Sequence, residues 1–349
     1  MTIVVGYFLL FPSFNITSTP QLVNQPTNRT QLHVVPPNQI VSGGPPPDGI
    51  PSIDNPKFVS ANEAKFLSDS SQVIGIYYNN EAKAYPLLIL VWHEIVNDVV
   101  GGKPIAITYC PLCFSSLGFV REINGQTVTF GTSGKLYNNN LVMYDRLTKS
   151  LWSQIWGEAI AGNLTGYILE RVPIDVLPWG EWKKLYPNTI VLGTDTGHRR
   201  SYGSDPYGNY YFNSDIYFPL SHKDNRLPLK NIVMGISING THKAYPTDRL
   251  VRGVIEDSVG GQDVVLLSVI DETARAFNPI VNGKKLTFQY SEGNFIDNET
   301  RTLWNYDGLA ISGPLQGKSL ARYPVEIDFW FAWAAFYPDT EIYPRFGVQ

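Results

Sequence analysis

Two stretches of the chain repeat one pattern of apolar and polar positions. IGIYYNNEAKAYP (74–86) and MGISINGTHKAYP (234–246) each read as a strand, an Asn-containing turn and a second strand closed by Lys-Ala-Tyr-Pro. The stretches that follow end in matched Gly pairs, at Gly101-Gly102 and Gly260-Gly261, and predict a short helix stopped by glycine. Buried-type strands come next, at 104–109 and 263–268. Ile123-Asn124-Gly125 and Val281-Asn282-Gly283 then mark hairpin turns, where Asn and Gly readily take positive φ. Thr148-Lys149-Ser150-Leu151-Trp152 matches Thr300-Arg301-Thr302-Leu303-Trp304, and 162–192 aligns without a gap to 313–343. That span sets Trp179, Trp182 and Tyr186-Pro187 on Trp330, Trp333 and Tyr337-Pro338, the spacing of one face of a short helix with a Pro-terminated exit. These aromatics read as core.

The pattern predicts a strand-rich α+β chain: two tandem copies of one module of antiparallel strands and hairpins with short helices, at 73–192 and 233–343. Residues 193–232, rich in Tyr, Gly and Asp, are too long for an ordinary connection and read as a binding loop or a cover for an exposed face. Residues 1–60 hold an apolar stretch, MTIVVGYFLLF (1–11), followed by a Pro-, Asn- and Thr-rich arm. The stretch lacks a basic flank and is shorter than the roughly 20 residues a membrane helix needs, so no transmembrane span is expected. It reads as a strand or as the remnant of a secretion signal.

Charge narrows the partners. The net charge is -4 with no basic run, which leaves no footprint for a phosphate backbone and argues against nucleic acid. Sequons at Asn15, Asn28, Asn163, Asn239 and Asn298 point to a glycoprotein in an extracellular or cell-surface location.

The chain has two cysteines, Cys110 and Cys113, in a Cys-Pro-Leu-Cys motif at the end of a predicted strand. Such a pair closes a small disulfide, acts as a redox dithiol or supplies two soft ligands, and spacing alone does not choose. The repeat adds a comparison. Cys110 and Cys113 fall opposite Val269 and Glu272, His93 opposite Arg252 or Gly253, and Met143 opposite Phe295. Four donors confined to one copy form a candidate site for copper, or for zinc with a different fourth ligand. His198, beside Arg199 and Arg200, is the scattered histidine best placed to line such a site. No nucleotide-binding glycine loop and no hydrolase or metalloprotease motif is present.

The runs Trp92-His93-Glu94-Ile95-Val96-Asn97-Asp98, Thr108-Tyr109-Cys110-Pro111-Leu112-Cys113, Leu136 to Asp145 and Leu151-Trp152-Ser153-Gln154 resemble the domain-of-unknown-function 3179 family, as do Asp195-Thr196-Gly197 and Asp205-Pro206-Tyr207. The resemblance spans about residues 70 to 343 and leaves the first 60 or so outside. It implies a secreted or surface-associated prokaryotic protein and assigns no activity. Two functions are therefore expected to compete. One is an extracytoplasmic metal-binding or redox protein using Cys110, Cys113, His93 and Met143. The other is a structural surface or filament subunit that self-associates by adding residues 1–11 to a neighbour's sheet, its two cysteines joined in a disulfide.

Overall fold

The computed structural model describes residues 33–344. The chain is α+β and strand-rich, with short helices among several antiparallel sheets. The element order over 72–192 recurs over 232–342: a hairpin (Gln72–Tyr78 and Glu81–Pro86; Ile232–Ile238 and Thr241–Pro246), a helical turn, a three-strand meander, further hairpins, then a strand leading into a helix. Those helices, Trp179–Leu185 and Trp330–Phe336, bury both of their tryptophans. At about 200 Å² of buried surface each and about 25 cal/mol per Å², such rings dominate the local packing.

Matched contacts repeat atom for atom. Trp152 donates to Asp145 at 2.9 Å and Trp304 to Asp297 at 3.0 Å, while Trp182 and Trp333 each donate to a threonine hydroxyl, Thr189 and Thr340, at 2.8 Å. Lys83 and Tyr85 converge on Asp98 as Lys243 and Tyr245 do on Asp257. Gly75 and Gly235 lie flat against Trp182 and Trp333, where a Cβ would stand 2.4 and 2.0 Å from a ring carbon.

The segments before the Gly pairs depart from the expected helix. A helical turn does form, Leu87–Leu90 in the first half and a 3-10 turn Thr247–Arg249 in the second, but Ile95–Val100 and Gly253–Val259 are strands. The Gly pairs are the two-residue turns of hairpins, all four glycines at positive φ. Ile95, Val96, Val99 and Val100 are β-branched, and pairing with Lys103–Cys110 outweighs the helix signal of the preceding leucines.

The two halves are not separate sheets. One sheet runs Glu341–Ile342, Thr241–Pro246, Ile232–Ile238, Glu326–Phe329, Ser115–Val120, Lys103–Cys110, Ile95–Val100, and the junction is the pairing of Ile327 with Ser116. Reciprocal ion pairs flank it: Arg171 of the first half meets Glu326 of the second, and Arg322 of the second meets Asp175 of the first at 2.7 Å. The described part of the N-terminal arm is built in. Val41–Ser42 pairs with Phe130–Tyr137, Phe58–Ser60 pairs with Ile190–Leu192, and Ile53 bridges to Val96.

Candidate functional site

The Lys103–Cys110 strand stops at Pro111, which offers no N–H to continue a ladder. The chain turns through Leu112 and Cys113, whose N–H reaches the Cys110 carbonyl at 3.2 Å, and Phe114 adopts φ +55 to re-enter the sheet at Ser115. A bulky residue in the left-handed region is strained, a cost that recurs at functional sites. Both cysteines are free thiols, Cys110 1% and Cys113 0% exposed.

The thiols differ electrostatically. Burial pushes Cys110 up, but the Cys113 thiol and the backbone amides of Leu141, Cys113 and Leu112 outweigh it and hold Cys110 below the ordinary thiol range. Cys113 goes the other way: burial, its bond to Cys110, and the charges of Cys110 and Asp328 raise it well above that range. The Cys113 Sγ–H also reaches the Asn139 carbonyl at 3.2 Å. The two neighbouring thiols are thus shifted in opposite directions, Cys110 toward the thiolate and Cys113 toward the thiol.

Around the thiols lies a closed polar interior. Asn140 Nδ2 donates to Gln154 Oε1 at 2.7 Å and to Ser115 Oγ at 2.8 Å, and Gln154 Nε2 donates to Thr108 Oγ1 at 3.0 Å. The lid is the 193–232 segment. Tyr210, fully buried, donates its hydroxyl to the Leu112 carbonyl at 2.8 Å and accepts from Asn139 Nδ2 at 3.3 Å, with Lys230 over its ring at 3.4 Å. Asn138 and Asn139, both at positive φ, pin the same segment by accepting from the Ser221 and Phe218 amides at 2.7 and 3.0 Å. Asparagine suits both tasks, since it tolerates that conformation and offers an amide oxygen.

His93 belongs to a different network. Its Nδ1–H donates to the Pro51 carbonyl and its Nε2 accepts from the Tyr202 hydroxyl, both at 2.7 Å, and Tyr202 in turn accepts from Thr196 at 2.5 Å. A carbonyl only accepts, so the tautomer is fixed. Burial lowers the imidazole to about 4; the Pro51 bond opposes this, and His198, whose ring centre is 5.5 Å away, and Arg200 reinforce it. Met143 is buried in the hydrophobic core, opposite Trp152. Among the described residues no group of three or more His, Cys, Asp or Glu side chains has the geometry to hold a metal. Asn163, Asn239 and Asn298 are exposed, whereas Asn15, Asn28 and the apolar residues 1–11 lie outside the described residues.

Sequence reasoning missed two acids. Glu94, at φ +58, has its carboxyl raised well above the usual range by burial and then by Cys110. Asp328 is raised well above it by burial and by the charge of Glu326. The gapless alignment carried the second signal, because it sets Asp328 against the apolar Leu177.

No helix among the described residues is long and apolar enough to cross a membrane. No curated protein and no solved structure matches the chain. A family model described as a protein of unknown function (DUF3179) matches residues 47–340, which reaches further toward the N-terminus than the motifs and takes in Pro51, the partner of His93. The chain therefore belongs to the DUF3179 family.

Proposed function

We propose that Cys110 and Cys113 form a dithiol–disulfide redox centre, working outside the cytoplasm, where the sequons would place the chain. The observation that carries this reading is the placing of two free, buried thiols on one turn, where the Cys113 N–H reaches the Cys110 carbonyl at 3.2 Å, and the opposite electrostatic bias of the two sulfurs supports it. Cys110 is the attacking sulfur: its thiolate displaces a thiolate from a substrate disulfide and forms a mixed disulfide. Cys113 then loses its proton and attacks Cys110, which closes the ring and releases the second substrate thiolate. Because the amides stabilise the reduced Cys110, the disulfide should be oxidising, well above the roughly −300 mV of structural disulfides. Reading the oxidised fraction by mass across dithiothreitol and glutathione buffers tests this. A pair that never closes, or that closes at a potential below about −300 mV, would remove the redox role.

A further inference from the structure

Asp328 is fully buried, yet neither of its carboxyl oxygens has a hydrogen-bond partner. A buried polar group left unpaired is destabilising, and Leu177 at the matched position avoids that cost. Strand geometry shows what the acid faces. Directly opposed residues of an antiparallel pair point to the same side, so Ile327 shares a face with Ser116 and Tyr109. Glu326 and Asp328 therefore share the opposite face with Cys110, Ser115 and Leu117. The same strand reaches the thiol turn directly, since the Phe329 N–H donates to the Cys113 carbonyl at 2.7 Å. Glu326 is held by Arg171 and by the Tyr337 hydroxyl, which leaves Asp328 without a cation of its own.

We propose that Asp328 is the proton relay of the thiol pair; the inference rests on the redox reading above. The relay starts from reduced protein with the proton off Cys110 and on Cys113 and Asp328. When Cys110 attacks a substrate disulfide, the first leaving thiolate takes the Asp328 proton and departs as a thiol. The carboxylate so formed accepts the Cys113 proton, Cys113 closes on Cys110, and the second substrate thiolate leaves unprotonated. Two protons enter the sequence and two remain, one on the first product and one on Asp328. While the interior is closed neither sulfur is open to water, and such a carrier moves the proton there.

The test follows the mixed disulfide in the full-length protein. Reduced protein is mixed with hydroxyethyl disulfide, quenched in acid at intervals and weighed intact, at several pH values. Asp328→Asn and Asp328→Leu should form the mixed disulfide more slowly, because the acid for the first leaving thiolate is gone, and retain it roughly 100-fold longer, the lower end of what a positioned acid–base group contributes. The wild-type pH dependence of closure should be replaced in both by a rate that climbs with pH as Cys113 ionises unaided, and kept in Asp328→Glu. Glu326, Arg171, Tyr337, Cys110 and Cys113 face the same interior and remain in every variant, so the changed dependence is assigned to Asp328. Asp328→Leu restores the residue of the matched position and is expected to fold. Lifetimes within about twofold of wild type, with ring closure intact, would overturn the relay and leave the redox centre standing. Wild-type protein that forms neither mixed disulfide nor ring would overturn both.

Discussion

Each half of the molecule buries a carboxylate at the junction, and the two are balanced differently. Asp175 receives two arginines, Arg275 at 2.6 Å and Arg322 at 2.7 Å, and Arg275 also binds Asp307 at 2.6 Å. Glu326, at the matched position, receives Arg171 alone, with the unpaired Asp328 two residues on. The counterpart of Arg275 in the first half is Leu117: each stands two residues before a phenylalanine, Phe277 or Phe119, that covers a glycine, Gly308 or Gly157. One cluster gains a cation and closes its charges, while the other gains an acid and leaves them open beside two thiols. A closed cluster has stability to contribute. An open one costs stability, and the thiol chemistry proposed here accounts for its being there.

The largest effect should come from breaking the closed side. Arg275→Leu leaves Asp175 with Arg322 as its one cation and Asp307 with the Tyr186 hydroxyl but no cation, at a site where Arg275 and Asp175 are buried, and should cost about 3–5 kcal/mol in urea unfolding. Asp328→Leu on the open side should leave stability unchanged or raise it by about 1–3 kcal/mol. Equal losses in the two variants would mean that both clusters are structural. Gly75→Ala and Gly235→Ala address the shared scaffold instead. Each drives a methyl group into a tryptophan ring, and each should cost about 1–3 kcal/mol by overpacking. A loss confined to one of them would break the equivalence of the halves.

Acid should separate the halves further. His93 is held neutral with a pKa of about 4, below its unfolded value near 6.5. The unfolded chain therefore binds the extra proton first. Stability from this group is full above about pH 6.5 and is lost as pH falls toward 4. His93→Gln should flatten that part of the stability-versus-pH curve, and an unchanged curve would show that other groups set it.

Much of this was legible in the chain. The repeated hairpins, the paired tryptophan helices and the strand ending in Cys110 follow from local pattern, because each is decided by neighbours a few residues apart. The segment before the Gly pairs misled, since its leucines favour a helix and only pairing with Lys103–Cys110 makes a strand of Ile95–Val100. His93 misled for a related reason. Its partners, Pro51 and Tyr202, come from the arm and the connecting segment, and no local spacing announces them. Asp328 was within reach of the alignment but escaped a comparison that looked for donors gained by the first copy, when the acid is contributed by the second. The shared sheet escaped as well, because the pairing of Ile327 with Ser116 joins residues from opposite ends of the repeat.

The smallest effect concerns access, and it exists only on the thiol side. Cys110 and Cys113 are buried and Tyr210 bonds the turn between them, so a reagent is expected to reach them when the 193–232 segment lifts. The rate of thiol labelling then follows the free energy of that opening. Tyr210→Phe keeps the ring under Lys230 but removes the hydroxyl that bonds the Leu112 carbonyl and accepts from Asn139. A hydrogen bond of this kind contributes about 0.5–1.5 kcal/mol, which corresponds to a rise of roughly 2- to 10-fold in labelling rate. Phe212→Ala, in the same segment but 89% exposed, should change nothing and serves as the control. Alkylation of reduced protein with iodoacetamide, followed by mass, measures both. If Tyr210→Phe labels no faster than wild type, the connecting segment is not the barrier to the thiols, and the route to them lies elsewhere in the first half.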